Sequence, residues 1–222
     1  TDLDGAAAAE VAAGIRANGG EATGCALDVT QDETLRQIVH DLGEPVQLLI
    51  NNAGLQHVAP IEEFGSARFA QLVDIMLNGA ARLCAACLPG MRAAGSGRIV
   101  GIGSIHSMVA SPYKSAYVAA KHGLVGLTRS LALETADSDI TVNLVCPAYV
   151  RTPLVDQQIA AQARTRGIPE HDVAREIMLR PMPKQRFVEI GEIAAAVEFL
   201  ASDAARNITG QCIAIDGGWT AQ

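Results

Sequence analysis

Five short apolar runs, each followed by a longer amphipathic stretch, limit what this chain can become. The runs are Cys25–Val29, Gln47–Ile50, Arg98–Ile102, Ile140–Val145 and Cys212–Ile215. They are nearly continuous rather than alternating, so both faces of each strand must be covered. Between them lie predicted helices over Gly5–Asn18, Gln31–Leu42, Ser66–Arg92, Tyr113–Thr135 and Ile190–Ala201. In Gln31–Leu42, for example, Leu35, Ile38, Val39 and Leu42 share one face. Strands alternating with helices predict an α/β, doubly wound parallel sheet with helices on both faces. Such sheets bind ligands at the carboxyl ends of their strands. That directs attention to Asp28, the run Asn51-Asn52-Ala53-Gly54, Ser104, Pro147 and Asp216.

With 222 residues and no repeats or linkers, residues 1–222 are expected to form one domain. Residues 152–186 break the strand–helix rhythm. They contain two polar helical pieces, Pro153–Arg164 and Glu170–Leu179, split by Arg166-Gly167-Ile168-Pro169 and stopped near Pro181 and Pro183. This segment is expected to be a helical lid over a substrate. The net charge is −7, with lysines and arginines scattered, so nucleic acid is not an expected partner. No run is read as apolar enough for a membrane helix, and the opening Thr1-Asp2-Leu3-Asp4 has no signal-peptide pattern. A cytoplasmic protein with no membrane partner is the expectation. Cys84 and Cys87 form a CxxC inside an apolar helix and are expected to be buried small side chains. No metal site is expected.

Tyr117 and Lys121 stand four apart on a predicted helix and so share a face. A neighbouring ammonium favours phenolate, which suits the phenol to moving protons near neutral pH. Ser104, thirteen residues earlier at a strand end, can hold a substrate oxygen against that phenol. A Tyr-x-x-x-Lys spacing alone is common. The ordered set is not: Asn51-Asn52-Ala53-Gly54 after a strand, Ser104, Tyr117 with Lys121, Cys146-Pro147-Ala148-Tyr149-Val150-Arg151-Thr152, and Ile215-Asp216-Gly217-Gly218.

Over essentially its whole length, this set resembles the short-chain dehydrogenase/reductase family, with its Rossmann-type fold and nicotinamide chemistry. The resemblance implies Ser104, Tyr117 and Lys121 as catalytic residues. It implies cofactor contacts from Asp28, Val29, Asn51, Ala53, Gly54, Tyr117, Lys121, Pro147, Val150 and Thr152. Asp2 stands where the family's second strand ends, and a carboxylate there accepts from a ribose 2′-hydroxyl, favouring NAD over NADP. Two features depart from the pattern. Asn78 is the asparagine nearest the family's catalytic one, but counting back from Leu88-Pro89-Gly90 puts that position at Met76, about 200° away around a helix. No glycine-rich phosphate turn precedes Gly5, so a longer natural product supplying that strand and turn is expected.

On the substrate side, Gln56, His106, Lys114, Gln158 and Trp219 resemble the D-3-hydroxybutyrate dehydrogenase branch of the family. Lys114 offers charge, and Gln56, His106 and Gln158 offer hydrogen bonds to a small hydroxy-acid carboxylate. His40, His57, His122 and His171 are read as structural or solvated. The implied reaction is reversible, NAD-dependent oxidation of D-3-hydroxybutyrate to acetoacetate. Two alternatives stand beside it: another small alcohol or 3-oxoacyl substrate, or a catalytically silent relative that serves as a binding protein. The family also implies a homo-oligomer, usually a tetramer.

Overall fold

The computed structural model describes residues 1–152, 155–156, 159–160, 163–164 and 167–221. Among them, four strands form one parallel sheet in chain order: β1 (Leu48–Asn51), β2 (Ser96–Ile102), β3 (Asp139–Pro147) and β4 (Cys212–Ile215). The registers run Leu48 beside Arg98, Ile102 beside Val145 and Pro147 beside Ile215. Every strand therefore points the same way. Asn51, Ile102, Pro147 and Ile215 lie together at the carboxyl edge.

The helices are α1 (Gly5–Ala17), α2 (Asp32–Asp41), α3 (Ser66–Val73), α4 (Gly79–Ala94), α5 (Ser115–Glu134) and α6 (Ile190–Ala201). On one side of the sheet, Cys84, Cys87 and Met91 of α4 pack with Leu49, Ile99, Ile140 and Val142. On the other, Val197 and Leu200 of α6 pack with Val100 and Val145. The doubly wound arrangement follows directly from strands that are apolar on both faces. In α5, Ala116, Ala120, Leu124, Thr128 and Ala132 recur every four residues and are all buried. This stripe of mostly small side chains lets the helix lie close to its neighbours and carries Tyr117 and Lys121 with it.

Three expectations are corrected. Cys25–Val29 is not a strand: only Ala26 bridges, in parallel, to Asp2. One pairing cannot propagate a ladder, and the edge of β1 away from β2 carries no strand among the described residues. Leu48 and Ile50 are accordingly 38% and 45% exposed. The long helix Ser66–Arg92 is interrupted by a wide π-type turn at Asp74–Asn78. And the combined stretch Ser66–Ala94 is, by length and composition alone, apolar enough to cross a membrane. Its buried residues, among them Leu72, Met76, Cys84, Cys87 and Met91, belong to the protein core.

Candidate active site

The carboxyl edge of the sheet opens into a cleft of about 300 Å³. Its floor is the end of β2, where the chain leaves Ile102 through Gly103 to Ser104. The Ser104 backbone is extended and its hydroxyl accepts from the His106 amide at 3.2 Å, while the Ser107 hydroxyl accepts from the Ser104 amide at 3.2 Å. These reciprocal bonds fix Ser104 and bury His106 directly beneath the cleft.

One wall comes from α5. Tyr117 and Lys121 both line the cleft, with the Lys121 Nζ 5.6 Å from the centre of the Tyr117 ring. Lys121 is 5% exposed and donates to the Ile102 carbonyl at 2.7 Å, which holds its ammonium at the sheet edge. Burial pulls the Lys121 ammonium down to about 8. Burial also pushes the Tyr117 phenol above its ordinary range, while the Ser104 hydroxyl pulls the other way. The expected lowering of Tyr117 by its lysine is thus not the dominant effect, because desolvation of the phenol outweighs it. Ser104, Tyr117 and Lys121 are brought together as the spacing implied.

Gln56, His106 and Lys114 all line the same cleft. Gln56 Oε1 and His106 Nδ1 are buried without a hydrogen-bond partner. Burial, with help from the Lys114 cation, lowers His106 to about 4, so its ring is neutral at physiological pH. Trp219 stands edge-on to His106 and stacks on Tyr149, with centroids 6.1 and 6.2 Å apart. Trp219 is held there by Asp216. Although burial works against that carboxylate, bonds from the Thr220 hydroxyl and from the Thr220 and Gly218 amides hold it below its usual range. Gln158 lies outside the described residues.

The residues expected to hold a cofactor divide into groups. Gly54, Pro147, Val150 and Thr152 line the main cleft, and the Thr152 hydroxyl accepts from the Val155 amide. Val29, Asn51 and Ala53 line a small cavity on the far side of Lys121, where Asn51 Oδ1 is buried and unpartnered. Asp28 accepts from the Thr30 amide and hydroxyl at 2.9 and 2.7 Å, which lowers its carboxyl. Asp2 is exposed and accepts from the Asp4 amide.

Asn78 is not brought to the site. It is exposed, donates to Asp74 at 2.9 Å and borders a separate surface hollow. Met76 is the residue facing inward: it is 2% exposed and packs with Ala116, Ala120 and Tyr117. The π-type turn delivers this register, turning Met76 in and Asn78 out. Tyr149 carried no predicted role, yet it lines the cleft beside Lys114 and Trp219. The signal available in the sequence was its place just after Pro147 at a strand end.

A family model described as enoyl-(acyl carrier protein) reductase matches residues 1–220. A solved structure described as a putative short-chain dehydrogenase/reductase from Burkholderia xenovorans superposes with a TM-score of 0.90. It is 32% identical, with 100% of this chain and 84% of that one covered. The chain belongs to the short-chain dehydrogenase/reductase family. It is an oxidoreductase. Among its relatives, D-beta-hydroxybutyrate dehydrogenase of Rhizobium meliloti is 48% identical over 79% of this chain and 68% of the relative. The protein of the same name from Cupriavidus necator is 44% identical over 86% and 74%.

Proposed function

We propose that this dehydrogenase interconverts D-3-hydroxybutyrate and acetoacetate with NAD. One observation carries the reading. A single cleft is lined by Ser104, Tyr117 and Lys121 together with Lys114, Gln56 and His106. The first set handles a hydroxyl or carbonyl. The second suits a carboxylate a few atoms away, because it combines one cation with polar atoms that have no protein partner. The relatives that bear the hydroxybutyrate dehydrogenase name support the same substrate.

The residues fit the nicotinamide–ribose part of a cofactor. Lys121 is a buried ammonium facing the cleft, and Asn51 Oδ1 is an orphaned acceptor in the adjoining cavity. Lys121, Pro147, Val150 and Thr152 would hold that part, Asp28 and Val29 the adenine, and Asp2 the ribose 2′-hydroxyl that distinguishes NAD from NADP. When bound, NAD supplies the hydride acceptor. Ser104 holds the substrate hydroxyl, Tyr117 in its phenolate form takes the hydroxyl proton and becomes neutral, and Lys121 stabilises the phenolate that this step needs and that carbonyl reduction regenerates. Lys114 fixes the carboxylate so that the carbinol carbon faces the cofactor. The lid expected over residues 152–186 of this one domain lies partly outside the described residues. Val155, Ile159 and Met178 form a cluster reaching Tyr149, so closure would press on the cleft beside Tyr149. The five cysteines are free thiols, which fits a reducing cytoplasm. The outward faces of α4 and α5 would pair copies into a homotetramer.

Replacing Lys114 tests the assignment. Lys114→Met should raise KM for D-3-hydroxybutyrate about 10- to 100-fold and leave KM for butan-2-ol, which lacks the carboxylate, unchanged. An equal effect on both substrates would remove Lys114 from carboxylate binding.

A further inference from the structure

Lys114 does not stand alone in the cleft. Its ammonium donates to the Tyr149 hydroxyl at 3.3 Å and lies 5.3 Å from the centre of that ring. The Tyr149 ring in turn stacks on Trp219 at an interplanar angle of 26°. The backbone before Lys114 is also constrained. Tyr113 adopts φ 68°, a conformation uncommon outside glycine, and its carbonyl accepts from the Ala59 amide at 3.0 Å. A strained residue tied to a second loop limits where Lys114 can start, and Tyr149 limits where it can end. The cleft therefore holds two tyrosine–lysine pairs, Tyr117 with Lys121 and Tyr149 with Lys114.

We infer that Tyr149 is a positioning and specificity-determining residue: its hydroxyl orients the Lys114 ammonium and donates its own proton to a bound carboxylate, and its ring closes the cleft on a short monocarboxylate. The inference rests on the carboxylate reading above. A phenol can accept from lysine and donate to a ligand at once. A neutral donor beside the ammonium adds a directed bond to a charge that is otherwise free to rotate. Lysine has four flexible bonds, so holding it before the ligand arrives removes an entropy cost from binding.

The chain contains one tryptophan, Trp219, and it lies against Tyr149, so its fluorescence reports on this part of the cleft without any cofactor. The experiment titrates wild type, Tyr149→Phe, Lys114→Met and the double variant with butyrate, following Trp219 emission. Wild type should give a saturable change. Tyr149→Phe keeps the ring and its stack, and should bind butyrate about tenfold more weakly. Lys114→Met should bind it weakly, and adding Tyr149→Phe to that variant should cause a clearly smaller loss than the same change in wild type, because the hydroxyl then has no ammonium to orient and only its own bond to the carboxylate is removed. Thermal melts of Tyr149→Phe within about 2 °C of wild type would confirm an intact fold. A Tyr149→Phe titration identical to wild type, fully additive effects in the double variant, or no butyrate response in wild type would each overturn the inference. Turnover is measured separately. Butyrate binding weakened by Tyr149→Phe, in a protein that does not oxidise D-3-hydroxybutyrate, leaves the inference standing and removes the proposed reaction.

Discussion

His106 shows how one side chain can serve the site at a cost to the fold. It is 3% exposed, with a ring nitrogen that has no partner. An unfolded chain protonates it near 6.5, whereas burial holds it to about 4 in the folded protein. The unfolded state therefore binds the extra proton as pH falls through that window. Stability is complete above about 6.5 and declines toward 4, by up to about 3 kcal/mol. Asp28, Asp74 and Asp216 are all held below their usual range, so their losses come at lower pH. Urea midpoints measured from pH 7 to pH 4 should fall for wild type and fall much less for His106→Gln. Equal slopes would show that His106 is not the titrating group.

At the scale of elements, the π-type turn at Asp74–Asn78 decides which side chain faces Tyr117. Met76 fills the space inside, and Asn78 is tied to Asp74 outside. Asn78→Ala should therefore leave kcat within about twofold. Met76→Ala should destabilise the fold by about 3 kcal/mol, as expected for truncating a fully buried methionine. A tenfold loss of kcat in Asn78→Ala would contradict this placement. The register was only half legible in sequence. Counting residues pointed to Met76 as the inward position, but the composition carries no signal for a wide turn within an otherwise regular helix. By contrast, the apolar runs at Gln47–Ile50, Arg98–Ile102 and Cys212–Ile215 marked β1, β2 and β4 within two residues of their ends, because burial on both faces leaves little choice of residue. Cys25–Val29 had the same look without becoming a strand, since pairing depends on a neighbour that local pattern does not reveal. Tyr149 was missed for a related reason. Its partners Lys114 and Trp219 lie 35 and 70 positions away and meet it only through the fold.

On the scale of the whole molecule, the parallel register brings four strand ends to one edge, and every proposed catalytic group stands within a few residues of that edge or on α5 beside it. The fold thus brings the proposed hydride-transfer and carboxylate-binding residues into one cleft, where His106 of the second set and Tyr117 of the first stand edge-on with ring centroids 6.1 Å apart. That spacing suits a substrate with its hydroxyl and carboxylate close together. The most direct measurement is NADH formation by the protein with D- and L-3-hydroxybutyrate, repeated with NADP. Turnover of the D-isomer with NAD, well above that of the L-isomer or with NADP, is the predicted result; no turnover of the D-isomer with either cofactor would contradict the account.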